Sequence, residues 1–123
     1  MPPVRIVLLL LLVLNCYGNS LMAQSNIKIF RIVKQAENDF KEANFEKSLI
    51  TSREGLRRAS NAKDNYLIAR SYKNIAANYN ELVEFDKAIF FYKKSIQYAN
   101  KVNSDTLKCK VYNNIGNVYC FEK

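Results

Sequence analysis

Histidine and tryptophan are absent from the 123-residue chain. Without an imidazole, the usual general base and the commonest metal ligand are both missing, and hydrolytic chemistry would have to be improvised from Asp, Glu or Lys. The three cysteines, Cys16, Cys109 and Cys120, show no C-x-x-C spacing, which excludes the common zinc and redox motifs. Glycine occurs only at Gly18, Gly55 and Gly116, so no glycine-rich phosphate loop can be built. Proline stops at Pro3, and nothing beyond it forces a helix to break. These absences lead to the expectation of a non-enzymatic chain with no cofactor and no metal.

Acidic residues are also scarce, 11 against 19 Lys and Arg, for a net charge of +8. Such an excess suits an acidic partner, an anionic membrane surface or nucleic acid, or simply keeps the surface solvated. Lys28, Lys47, Lys63, Lys93 and Lys94 are scattered among acids rather than massed, which favours the solvated surface.

What is present first is a run of Ile, Val and Leu over residues 6–14, preceded by Arg5 and followed by Asn15, Gly18, Asn19 and Ser20 before Ala23-Gln24. This is the layout of a secretory signal: basic start, short apolar core, small residue at the cut. The core falls well short of the ~20 residues that cross a bilayer, so residues 1–23 are expected to be cleaved, with no further transmembrane span. Two alternatives stay open: lipidation at Cys16, and a buried N-terminal helix of the mature fold. Arg5 is the only charge among residues 1–23, so cleavage lowers the net charge by one, to +7. Export to the periplasm or the medium argues against nucleic acid as a partner.

Past Ser25, apolar residues recur at steps of three and four, an all-α pattern. Five helices are expected. The first covers about 26–42, with Ile29, Ile32, Ala36, Phe40 and Ala43 inward, and the second about 46–61, with Leu49, Leu56 and Ala59 inward. The third covers about 64–83 and the fourth about 86–102, with Asp64 and Asp105 placed as N-cap acceptors. The fifth begins near 105 and carries Val111, Tyr112, Ile115 and Tyr119. Cys109 and Cys120, eleven positions apart on it, would stand about 16 Å apart, too far for the roughly 4.4–6.8 Å Cα separation of a disulfide.

The chain also matches itself at an offset of 40. Phe45-Glu46-Lys47-Ser48-Leu49 falls on Phe85-Asp86-Lys87-Ala88-Ile89, and Tyr72, Asn74, Ile75, Ala76 and Tyr79 fall on Tyr112, Asn114, Ile115, Gly116 and Tyr119. The first unit is degenerate, with Gln35 and Asp39 where the second has Ile75 and Tyr79. A fixed period of this length marks stacked helical repeats.

At these residues the sequence resembles the tetratricopeptide repeat family. The second unit reads Tyr72, Ile75-Ala76, Tyr79, then Ala88, Tyr92 and Ser95, and the third begins again with Tyr112, Ile115-Gly116 and Tyr119. Small residues at the crossing let helices approach, and aromatics fill the space around it. The resemblance implies a right-handed stack of antiparallel helical hairpins, an α-solenoid, over residues 24–123. Its units would be 27–64, 65–104 and an incomplete 105–123, that is, two hairpins and the first helix of a third. The period of 40 is similar to the long variety found in kinesin light chains and in exported sensor regions of bacterial signalling proteins. A stack of this kind needs about three units, so the chain is expected to be a truncated product or a fragment of a longer protein.

The resemblance further implies that the first helix of each hairpin lines a concave groove that captures proteins or peptides, acidic ones among them, rather than small molecules. The candidate groove residues are Arg70, Lys73, Asn74, Ala77 and Asn80 on the third helix and Lys110, Asn113, Asn114 and Asn117 on the fifth. Cations and amides there would suit a carboxylate or a peptide backbone. Two functions follow as expectations: an exported protein-binding module, or the sensor part of a membrane histidine kinase or transcription regulator whose output domain lies elsewhere.

Overall fold

The computed structural model describes residues 2–121, and among them every regular element is a helix: α1 (Pro2–Lys41), α2 (Phe45–Asn61), α3 (Asn65–Glu81), α4 (Phe85–Lys101) and α5 (Asp105–Phe121). Helices α2 to α5 have 17 residues each. The links between successive helices are short and of equal length, so the backbone repeats with every helix. Each helix packs against the next, and α3 also touches α1 and α5. The protein is all-α, as its periodicity predicts.

The first helix starts at Pro2, not near residue 26. Nothing between the apolar run and Asn26 stops a helix: the lone Gly18 costs only about 1 kcal/mol relative to Ala. Residues 3–24 are exposed throughout, which overturns the alternative of a buried N-terminal helix. By length and composition α1 is able to cross a membrane, with an 18-residue stretch of mean hydropathy 2.0, none of it buried. Val4, Tyr17 and Leu21 extend the apolar character beyond the core over residues 6–14, and a signal sequence and a membrane span both fit such a helix.

All four links are built alike. Residues 43, 63, 83 and 103 are left-handed, with φ of 61°, 54°, 62° and 51°. In each, the left-handed residue's N–H donates three residues back and the next N–H five back, as in Ala43 to Phe40 (3.0 Å) and Asn44 to Asp39 (2.9 Å). This is the Schellman termination, and it satisfies carbonyls that the helix end leaves open. The residue after it is the N-cap of the next helix, so Ala43 sits in the turn rather than on the inner face expected of it. Asp64 caps α3 through Leu67 N–H at 3.0 Å, a contact worth about 1 kcal/mol. Asp105, expected to cap α5, is its first residue; the side-chain acceptor is Ser104, 3.4 Å from Leu107 N–H. Ser104 stands one full repeat after Asp64, so the repeat itself selects it.

Burial follows the same period. The buried positions of α2 are Ser48, Ser52, Gly55 and Ala59, and those of α4 are Ala88, Tyr92, Ser95 and Ala99, each one repeat further on. Leu49 and Leu56, expected at the centre of α2, flank this stripe and are only partly buried. On α1, Ile29, Val33, Ala36 and Asp39 are buried. A Cβ on Gly55 would lie 3.3 Å from Val33 Cγ2 and 3.4 Å from Ser71 Oγ, so this glycine permits the close approach of α1 and α3 to α2. Ser48 Oγ donates to Ala36 O and Ser95 Oγ to Ala69 O, both at 2.7 Å, tying α2 to α1 and α4 to α3.

Candidate functional site

A groove of about 580 Å³ opens on one side of the molecule, and every residue lining it comes from α1, α3, α5 or the Ser104 cap. From α1 come Lys34, Glu37, Phe40 and Lys41; from α3, Tyr66, Arg70, Lys73, Asn74 and Ala77; from α5, Thr106, Leu107, Lys110 and Asn114. The odd-numbered helices thus make the groove, and α2 and α4 contribute no lining residue. Five cations and a single carboxylate share the lining.

That carboxylate is already committed. Arg70 grips Glu37 with Nη2 at 2.6 and 2.7 Å from the two oxygens and Nε at 3.0 Å. Both side chains are nearly enclosed, and the guanidinium also lies over the rings of Phe30 (5.1 Å) and Tyr66 (5.7 Å). Arg70 therefore braces the wall of the groove rather than presenting a free donor. Lys34 and Lys73 touch Glu37 only loosely, at 3.8 and 3.9 Å. Among the described residues Lys41 and Lys110 make no ion pair.

The groove is accordingly short of negative charge. Burial lowers the pKa of Lys73; Glu37 opposes this, and Arg70, Lys110 and Lys34 push it down further. An incoming anion would relieve that repulsion. At the floor, Asn74 is 5% exposed and its Nδ2 has no hydrogen-bond partner, a buried donor whose desolvation is uncompensated. Asn114, opposite on α5, bears on the phenol of Tyr92; burial raises the Tyr92 pKa and the Asn114 hydrogen bond partly offsets it.

Of the nine residues picked out from the sequence, Arg70, Lys73, Asn74, Ala77, Lys110 and Asn114 meet in the groove. Asn80 lies one turn past Ala77, half-buried and outside the lining, while Asn113 and Asn117 are exposed on open α5 surface. A contribution from α1 is expected of a first helix, but its residues, Lys34, Glu37, Phe40 and Lys41, are not among the nine. Stepping back one repeat from Asn74, Ala77 and Asn80 leads to Lys34, Glu37 and Phe40, so the period carried the signal, hidden by the degeneracy of the first unit.

The cysteines are free and exposed. Among the described residues no three His, Cys, Asp or Glu side chains gather in a way that could hold a metal ion. Compared with family models, curated proteins and solved structures, the chain matches none.

Proposed function

We propose that this chain is an exported, non-enzymatic binding module of the tetratricopeptide kind, whose groove takes an acidic peptide or an acidic segment of a partner protein. The repeat register of the buried positions and the four alike turns support a stack of helical hairpins, with the odd-numbered helices forming its concave face. The observation that carries the functional reading is the charge imbalance of the groove. Its one acid, Glu37, is consumed by Arg70, leaving Lys34, Lys41, Lys73 and Lys110 around the unpartnered Asn74 amide. Ammonium groups and amide N–H groups are donors suited to carboxylates, and charge-assisted bonds in a partly desolvated site are the stronger kind. The apolar start of α1 supports export, with the mature chain beginning at Gln24.

The test is a fluorescence-anisotropy titration of the purified chain with a labelled Asp/Glu-rich peptide and with its Asn/Gln counterpart. The acidic peptide is expected to bind at least tenfold more tightly, with affinity falling as salt screens the charges. The double variant Lys73→Glu/Lys110→Glu is expected to abolish the preference. Equal binding of the two peptides, or binding indifferent to the charge reversal, would sink the proposal.

A further inference from the structure

The repeat places equivalent positions along the groove twice. Glu37, Lys34 and Arg70 meet where α1 packs on α3, and their counterparts one repeat on, Ala77, Asn74 and Lys110, lie where α3 packs on α5. The first of these seams is complete. Lys34, three positions before Glu37 on its own helix, stands 3.8 Å from it, and Arg70 reaches both carboxylate oxygens from the facing helix at 2.6 and 2.7 Å. The two gripped side chains are only 14% and 12% exposed, so this pair is largely shut off from water.

The second seam has the donors of that arrangement and lacks its acceptor. Lys110 stands for Arg70 and Asn74 for Lys34, but Ala77 stands for Glu37. All three line the groove. Among the described residues Lys110 makes no ion pair. Asn74 precedes Ala77 by three positions, the helical spacing that brings Lys34 to Glu37, and its buried Nδ2 has no acceptor. Burial first, and then the charges of Arg70 and Lys110, lower the Lys73 pKa against the pull of Glu37. Lys73 and Lys110 therefore repel across a seam that contributes no acid of its own to the groove. A carboxylate beside Ala77 would relieve that repulsion and give the Asn74 amide an acceptor.

We propose that the space beside Ala77 is a specific site for one side-chain carboxylate, that of a Glu or Asp within the bound acidic segment, with Lys110 and Asn74 as its donors. This rests on the groove reading above and adds to it the place and the kind of acid. The internal template, Glu37, is a carboxylate on a methylene stem that enters the seam from the middle of a chain, so the ligand needs no free chain end. Lys110 offers a point charge where Arg70 offers a fork, and the acid is held by one ammonium and one amide rather than by two bonds from a single group.

The test puts the acid into the chain itself. Ala77→Glu and Ala77→Gln add side chains of nearly equal size, and only the first carries charge. In thermal melts of the full chain at pH 7, Ala77→Glu is expected to melt above Ala77→Gln. The introduced carboxyl, held by Lys110 below the ordinary value of about 4.3, contributes above that value, and the contribution is lost as pH falls through the depressed one. Adding Lys110→Gln to both variants is expected to abolish the difference. No difference at pH 7, or one that survives Lys110→Gln, overturns the proposal. These melts contain no peptide, so their outcome is independent of whether the groove prefers acidic ligands.

Should crowding at half-buried Ala77 keep both variants from folding, peptides titrated into the parent chain decide. Three labelled probes are needed: a peptide with one Glu among Gln and Ser and both ends blocked, its Gln counterpart, and that counterpart with a free C-terminal carboxylate. The single-Glu peptide is expected to bind about tenfold more tightly than the other two, the scale of one hydrogen bond to a charged group, and to lose that margin in Lys110→Gln. A free chain end that serves as well as Glu overturns the proposal. So does a single Glu that gives no margin; if the Asp/Glu-rich peptide still binds, the groove reading survives and this site does not.

Discussion

Asp39 and Val83 show what single residues contribute here. Asp39 occupies the place that Tyr79 takes one repeat later, and Lys47 the place of Lys87. The later pair meets as cation over ring; the earlier one meets as an ion pair, Lys47 Nζ to Asp39 Oδ1 at 3.1 Å, with Gln35 donating to the same oxygen at 3.0 Å. The same geometry thus accepts two chemistries. Burial of Asp39 pushes its pKa up, but the hydrogen bonds from Lys47 and Gln35 and the charge of Lys47 outweigh it and hold the carboxyl below its ordinary 3.8. A carboxyl depressed in the folded state stabilises above the unfolded value, and that contribution is lost as pH falls through the folded one. Asp39→Asn is therefore expected to melt at lower temperature than the parent at pH 7 and to lose less on acidification below about pH 4, a difference that pH-dependent thermal melts will read.

Val83 is a β-branched residue at φ 62°, a conformation that costs a non-glycine residue about 1–2 kcal/mol. Its side chain is mostly exposed, so little packing is lost on removing it. Val83→Gly is expected to stabilise the chain by about 1 kcal/mol in chemical denaturation, net of the added freedom of glycine in the unfolded state. Asn103→Gly, at the equivalent turn, should change far less, because Asn tolerates this region.

At the scale of the helix, the contacts depend on small residues. Ala76 and Ala88 are buried completely on facing helices of one core cluster, and aromatic pairs fill the flanks. A larger side chain at such a place forces neighbours off their rotamers. Ala76→Leu is expected to destabilise by about 1–3 kcal/mol, measured as a shift in denaturation midpoint. Gly116→Leu, at the equivalent but open α5 position, meets no packing penalty and should stabilise slightly, by less than about 1 kcal/mol, because leucine is the better helix former. The contrast also measures how open α5 is at Gly116.

Whole-molecule behaviour turns on charge and on the proposed leader, residues 1–23. Lys73 carries a depressed pKa inside the cationic groove, and only its protonated form attracts an anion. Affinity for the acidic peptide is expected to fall with rising pH before the ordinary lysine value of 10.5 is reached, and Lys73→Arg, which stays charged, should remove that early loss. For the leader, expression with a C-terminal tag in a bacterium followed by N-terminal sequencing is expected to find Gln24 at the start of a periplasmic species. Retention of Met1 in the cytosol would end the export proposal.

Much of this was legible along the chain because it is local. Helices are announced by steps of three and four and by the missing proline, and the offset of 40 announces the repeat. The same offset, followed into the degenerate first unit, leads to Lys34, Glu37 and Phe40 in the groove and to Ser104 as the cap of α5. The turns are less legible, since Ala43, Lys63 and Val83 are left-handed without being glycine; such short links between packed helices impose that conformation whatever residue stands there. The sequence by itself determined an all-helical chain, its period and its surplus of positive charge. Only the tertiary structure decided which cations are free: Arg70 is neutralised by Glu37, far from it along the chain, while Lys110 is not. Periodicity within a helix depends on neighbours a turn apart, whereas the pairing of two charges depends on the distance between helices, and that is set by the close packing of the small residues between them.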